Sequence, residues 1–347
     1  MDESRDSSIS NLKAIMLFAI ILNHSFASVK YINSPQIIPV HWLDTFSSCL
    51  PWCLGAFFFI SGYYTHASGE TKADYVILVK KRISSLFVPY FLWNLTYVVI
   101  FITGSFFVAT IKTRCHELQL FSVWGVLNGL FGITHHPADG PLWYVRNLFF
   151  CVLLYPFFRC FCKEKNGWMI IVAIAVCLGF VYPYMAPAVT EHLKPYIIPA
   201  FCFGIYFREH DISLHVFEHY PLVGISALVL SLAVLFHGLN FRPISWMIER
   251  RLIYLLVLPS WMMISKYLAH SNEFYNFIVR ESFYIYASHA LFCTAVLKLL
   301  APRVPESPYK LLILSSAFLV VGLGLIFVSG LVLHKLAPKI YSLLARR

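Results

Sequence analysis

Ten stretches of this chain are apolar over roughly the length a bilayer demands, and that feature decides what the chain can fold into. They are 12–29, 46–65, 84–108, 142–160, 168–187, 196–208, 220–237, 252–268, 282–300 and 311–334. A crossing helix needs about 20 mostly apolar residues. Hydrocarbon offers no partner to a backbone N–H or C=O, so each crossing must satisfy its own backbone as a helix. The predicted fold class is therefore all-α: a polytopic integral membrane protein of about ten transmembrane helices, both termini cytoplasmic. The loops are short, so 1–347 reads as one transmembrane domain. The first stretch, 12–29, has no small-residue cleavage site behind it and is expected to be retained as a helix.

Charge supports this reading. Only 13% of the residues are charged, against about 25% in soluble chains. The net charge of +10 would raise nucleic-acid binding in a soluble protein. Here the basic residues fall between the apolar stretches, where the positive-inside rule accounts for them, and nucleic acid is excluded as a partner. With the N-terminus inside, most of the 27 Lys and Arg residues lie on the cytoplasmic side. The stretch 119–133 is also apolar, but it holds Asn128, Gly125, Gly129 and Gly132. Counting it as a span would move Arg159, Lys163 and Lys165 and the basic tail outside, so it is left out, as an interfacial or re-entrant segment.

The nine Cys residues form no CxxC pair and no zinc spacing. Cys151, Cys177, Cys202 and Cys293, and Cys49 with Cys53, read as small buried packing residues. His135, His136 and Asp139 make a polar patch without an adequate ligand set, so no metal is expected. Glu249-Arg250-Arg251 reads as an outer anchor.

Ionisable side chains inside a span cost about 2.5–3.5 kcal/mol each and so carry the functional information. Lys13 and His24 are eleven residues apart on the first helix, about 16 Å of rise and about 20° of rotation, so they share one face. An imidazole titrates near neutrality and suits general-base work. A positive-inside anchor and a satisfied interior His explain the same pair without chemistry. His289 in the ninth stretch reads either as a second active-site group or as a helix–helix hydrogen bond. Arg146 and Asn147 follow Trp143 and Tyr144. Arg146 offers a bidentate clamp for phosphate or carboxylate, or a side chain snorkelling to the interface. Lys80-Lys81-Arg82 stands at a cytoplasmic mouth, as topology anchors or as a cradle for a nucleotide-bearing donor.

Five marks occur in order on this frame: Asn11-Leu-Lys13-Ala with His24; Phe57-Phe-Phe-Ile-Ser61-Gly62-Tyr63; Lys81-Arg82 leading to Pro89-Tyr90; Leu142-Trp143-Tyr144; and Ile285-Tyr286-Ala-Ser-His289. Together they resemble the membrane-bound acyltransferase family 3, which O-acylates bacterial cell-surface glycans, over nearly the whole chain. Ser10 replaces an acidic residue common there, and Lys13 replaces the usual Arg, which removes a bidentate contact.

The resemblance implies an acyl group, most often acetyl, moved from cytoplasmic acyl-CoA to a hydroxyl of a cell-surface or lipid-linked glycan. His24 would be the general base or a transient acyl carrier. Lys13, Lys81 and Arg82 would hold the donor. Trp143, Arg146, His289 and Ser61 would line the substrate sites. It implies no tightly bound cofactor, acyl-CoA and a saccharide as partners, and a place in the inner membrane. A secondary transporter or exporter explains ten helices and an intramembrane His as well, but such proteins show discontinuous helices in paired halves, and no internal repeat is visible. A scaffold without chemistry would tolerate substitution at Lys13, His24 and Arg146.

Overall fold

The computed structural model describes residues 7–33, 46–47, 49–66, 71–181, 184–185, 194–241, 253–268, 273–305, 307 and 309–345. Parts of the expected spans 46–65, 168–187 and 252–268 lie outside the described residues. So do Glu249-Arg250-Arg251, Arg5, Arg242, Arg346 and Arg347. Among the described residues every regular element is helical and no strand occurs.

Each of the ten apolar stretches contains helix. In chain order the helices are α1 (Ser7–Asn33), α2 (Cys53–Tyr63), α3 (Lys72–Ser105), α4 (Ala109–Glu117), α5 (Val123–Phe131), α6 (Trp143–Leu153) and α7 (Tyr155–Cys162). There follow α8 (Gly167–Val181), α9 (Ile198–Glu209), α10 (Pro221–Phe241), α11 (Leu258–Ser265), α12 (Glu273–Leu300), α13 (Lys310–Leu336) and α14 (Pro338–Leu344).

Among the described residues, four helices are long and apolar enough to cross a membrane: Ser7–Val29, Lys72–Ser105, Asn276–Arg303 and Lys310–Leu336. A fifth crossing results if Gly140–Leu153 and Tyr155–Cys162 form one broken span. Among the described residues, α2, with 11 residues, and α9, with 12, are shorter than their apolar stretches, whereas α10, with 21, is longer than 220–237. Prolines bear on α9, since Pro195 and Pro199 bracket its start. Hydropathy barely registers proline, but its missing N–H and fixed φ limit a helix. Elsewhere the helices outrun the apolar stretches. α12 begins at Glu273, nine residues before the apolar stretch 282–300, so Arg280 and Glu281 lie inside the helix. α5 has 9 residues, about 14 Å of rise, and cannot cross about 30 Å of hydrocarbon by itself.

Exposed apolar side chains have the character of lipid-facing surface. On α10, Leu222, Val229 and Phe236 stand open, and on α13, Val320, Leu331 and Leu336. Contiguous faces of this kind are a liability in water and cost nothing in hydrocarbon. Cys177 belongs to such a face, with Met169, Val172, Val176 and Phe180. The expectation that it is buried is therefore corrected. Cys53, Cys151, Cys202 and Cys293 are buried as expected.

The helices group into two compact units. The first lies within Met1–His66, Phe157–Pro183 and Tyr196–Ser329. There α1 packs against α12, and α2 against α9. Glycines set the second contact. A Cβ on Gly204 would stand 2.0 Å from the Phe59 carbonyl oxygen, and one on Gly62 would stand 2.0 Å from that of Phe201. Small residues at such a crossing let two backbones touch, which is the main source of helix association where lipid is as apolar as leucine. Arg159 adds an ion pair, its Nε 2.8 Å from Glu209 Oε1.

The second unit lies within Ala67–Pro156, Tyr184–Pro195 and Gly330–Arg347. Its long helix α3 contains a π turn at Ile83–Phe87, where the Val88 N–H reaches back to the Ile83 carbonyl. Pro89 supplies no N–H to continue the regular ladder, and the wider turn absorbs the mismatch. Buried amides then fasten the loop after α5. Gly132 closes that helix with φ 64°, the left-handed conformation that glycine adopts at no cost. Asn128 Oδ1 accepts from the Thr134 N–H at 2.7 Å. Asn94 Oδ1 accepts from the Asp139 N–H at 2.9 Å, and Arg146 donates to the Gly132 carbonyl.

Asp139, in the loop outside the membrane-crossing helices, is fully buried, and among the described residues neither carboxylate oxygen has a hydrogen-bond partner of good geometry. Burial pushes its carboxyl well above the usual carboxylate range, and the Tyr97 hydroxyl pulls it part of the way back.

Gly204→Ala drives a methyl into a backbone oxygen, a strain of about 1–3 kcal/mol. It should lower both the membrane-fraction abundance and the unfolding temperature in detergent. Gly324→Ala, which meets nothing within 4 Å, should lower neither; equal tolerance of both changes would contradict the close approach. For Asp139, the folded state holds the proton more tightly than the unfolded state. Its contribution is thus complete below about pH 4 and is lost as pH rises toward the elevated value. Asp139→Asn should raise the unfolding temperature at pH 7.5, with the gain shrinking toward pH 5. A lowered unfolding temperature at pH 7.5 would show a charged carboxylate held in place.

Candidate functional site

α1 is unbroken from Ser7 to Asn33, so the shared face of Lys13 and His24 that the spacing predicts is kept. Asn11, buried beside Lys13, donates from Nδ2 to the Leu268 carbonyl at 2.6 Å, which pins the start of the helix. Lys13 places its ammonium 4.9 Å from the centroid of the Tyr64 ring. This cation–π contact gives its charge a partner other than a carboxylate. Ser61, on α2, lies one turn before that region, and its carbonyl accepts from the Thr65 hydroxyl at 2.7 Å.

About three turns of helix beyond Lys13, α1 meets α12. The imidazoles of His24 and His289 lie with ring centroids 5.1 Å apart and planes tilted by 46°. His289 is 0% exposed. Its Nδ1 contacts the Tyr286 carbonyl, and its Nε2 is buried without a hydrogen-bond partner among the described residues. One turn further on, the Cys293 thiol lies against the hydroxyls of Ser25 and Ser28. Residues 265 positions apart in sequence thus form a small polar strip between two long apolar helices. Such a strip is costly to insert and is the kind of feature that function retains.

The other expected site residues fall in the second unit. Lys80 and Lys81 are exposed and Arg82 half-buried. They occupy the turn of α3 that leads into the π turn, and the Thr71–Asp74 capping box opens that helix. Trp143 and Arg146 are both buried near the start of α6. Lys194 sets its ammonium 3.9 Å from the Trp143 ring centroid. Arg146 does not snorkel: it is 6% exposed, donates to the Gly132 carbonyl and sits with Nε 3.4 Å from Asn147 Oδ1.

The structure therefore brings together Lys13, Ser61, His24 and His289 in one unit, and Lys81, Arg82, Trp143 and Arg146 in the other. Sequence reasoning passed over Asn94, which is 0% exposed in the middle of α3. A single carboxamide inside Val88-Pro-Tyr-Phe-Leu-Trp-Asn94-Leu-Thr-Tyr was a visible signal. Among the described residues no group of three or more His, Cys, Asp or Glu side chains could hold a metal ion.

A family model described as an acyltransferase domain matches residues 6–335. Among curated proteins, the succinoglycan biosynthesis protein ExoH of Rhizobium meliloti (strain 1021) is 23% identical over 255 residues, covering 67% of this chain. The match spans 62% of that relative's own length, less than two thirds. No solved structure matches. The family match takes in α1 with Lys13 and His24, the π-turned α3, the Trp143–Arg146 turn and the His289 helix, and on that extent the chain belongs to the acyltransferase family 3.

Proposed function

We propose that the chain is a membrane O-acyltransferase that moves an acyl group, most often acetyl, from cytoplasmic acyl-CoA to a hydroxyl of a cell-surface or lipid-linked glycan. The family membership supports the reaction class. The relative's part in succinoglycan biosynthesis supports a saccharide acceptor. The observation that carries the reading is the imidazole pair at 5.1 Å on the helix that also bears Lys13. It supplies a base inside the apolar bundle and a cation toward one end of the same helix.

In this reading His24 takes the proton of the acceptor hydroxyl as the oxygen attacks the thioester carbonyl. The carbon–sulfur bond breaks, and the CoA thiolate leaves and receives that proton. A neutral imidazole near ambient pH is the effective agent for this step, contributing about 10²–10⁴-fold. Lys13, Lys81 and Arg82 are suited to the donor's phosphates as point charges and, for Arg82, as a fork. Ser61 and Trp143 contact substrate. Arg146 is already bonded to Gly132 and Asn147 and holds the loop behind Trp143. The protein would sit in the plasma membrane as a multi-pass chain with both termini cytoplasmic, the arrangement that the Lys and Arg distribution favours.

His24→Ala should remove ester-linked acyl groups from the surface glycans, read by mass spectrometry of material from a deletion strain carrying the variant. Protein abundance in the membrane fraction should stay at the wild-type level. Glycans acylated as in the wild type would remove His24 from the chemistry, and a wild-type strain without acylated glycan would remove the proposal.

A further inference from the structure

We propose that His289 is a positioning residue that fixes the tautomer and orientation of His24, an inference that rests on the acyl-transfer reading above. His289 has one nitrogen committed. Nδ1 faces the Tyr286 carbonyl on its own helix, and a carbonyl can only accept, so Nδ1 carries the hydrogen. Nε2 is then the lone-pair nitrogen. It is a pure acceptor, fully buried, and no donor reaches it among the described residues. An unsatisfied acceptor in an apolar interior costs about 1–3 kcal/mol, so its retention between α1 and α12 calls for a donor that arrives in another state of the site.

The His24 ring is in place to be that donor. Imidazole nitrogens lie about 1 Å from the ring centroid, so a centroid separation of 5.1 Å puts an N–H···N contact within a small rotation of the rings, and catalytic hydrogen bonds commonly tighten only when substrate is bound. The nearby hydroxyls of Ser25 and Ser28 lie instead against Cys293, one turn further along.

The consequence is chemical. When one nitrogen of His24 donates its hydrogen to His289 Nε2, the other must carry the lone pair. That nitrogen takes the proton of the attacking hydroxyl and later returns it to the departing CoA thiolate. No proton is lost to His289, which acts as a neutral hydrogen-bond acceptor for the imidazolium that forms. A buried neutral acceptor thus does for His24 what a carboxylate does in other His-based sites, without placing a net charge among lipid-facing helices.

The test separates the two nitrogens of His289. An Asn amide reaches only the Nδ1 position and can keep the Tyr286 contact; a Gln amide reaches the Nε2 position and can offer an oxygen to His24. Membrane vesicles containing the full chain and the endogenous glycan are given [14C]acetyl-CoA over a range of concentrations, and alkali-labile label on glycan is counted. His289→Asn should lower the maximal rate at least tenfold, with the KM for acetyl-CoA within twofold and abundance unchanged. His289→Gln should recover a third or more of the lost rate. The inference is overturned if His289→Asn transfers at the wild-type rate, which would reduce His289 to its Tyr286 contact. It is also overturned if Asn and Gln lose rate and abundance alike, which would make it packing. Wild-type and His24→Ala vesicles run alongside test the underlying reading separately, because label on glycan in the first and none in the second is required by acyl transfer whatever His289 does.

Discussion

A bilayer interior supplies no hydrogen bonds, and many of the polar groups described in this chain are arranged around that fact. Backbone groups are closed within helices. Hydroxyls inside the helices turn back on their own ladders, as Ser231 does to the Ala227 carbonyl, Ser288 to Tyr284 and Thr96 to Leu92. Side-chain amides do the longer-range work: Asn11 ties α1 to the Leu268 carbonyl, and Asn94 and Asn128 hold the loop after α5. Individually such bonds average about 0.6 kcal/mol. Their effect is to fix which helix faces meet. The α2–α9 contact obeys the same constraint from the other direction, since glycine against a backbone oxygen gains dispersion contacts where no hydrophobic driving force exists.

Against that background the two imidazoles are the exception. His289 keeps an acceptor without a donor in a place where such a group is expensive, and His24 lies one ring away. Structural histidines between helices normally have both nitrogens accounted for. A pair with a vacancy is suited to a step in which a proton arrives and leaves again. Neutral imidazoles also suit the location. A carboxylate orienting His24 would carry the full desolvation cost of a buried charge, whereas His289 presents only a dipole until the reaction itself creates an ion.

Much of this was readable in the sequence. The ten apolar stretches all contain helix, because period and composition act locally. The alignment of Lys13 with His24 follows from 3.6 residues per turn and survives in the unbroken α1. Helix lengths were less legible, since proline stops and π turns do not register in hydropathy. The pairing of His24 with His289 was not readable at all: nothing local connects positions on the first and the twelfth helices, and only packing brings them together. Asn94 shows a different gap. A lone carboxamide in an apolar run was visible but was passed over because it bears no charge, although its carbonyl anchors Asp139. Arg146 illustrates a choice that sequence left open between snorkelling and burial, and the Gly132 carbonyl decides it for burial.

An acyltransferase of this kind makes an ester and does not merely pass a solute. The most direct measurement follows both products of a turnover. The purified protein in liposomes, given acetyl-CoA and glycan isolated from the native strain, is assayed for free CoA thiol and for glycan-bound acetyl ester. The account predicts the two in equal amounts, and neither from the His24→Ala protein. Glycan or acetate crossing the liposome wall with no thiol released would contradict it and leave a transporter in its place.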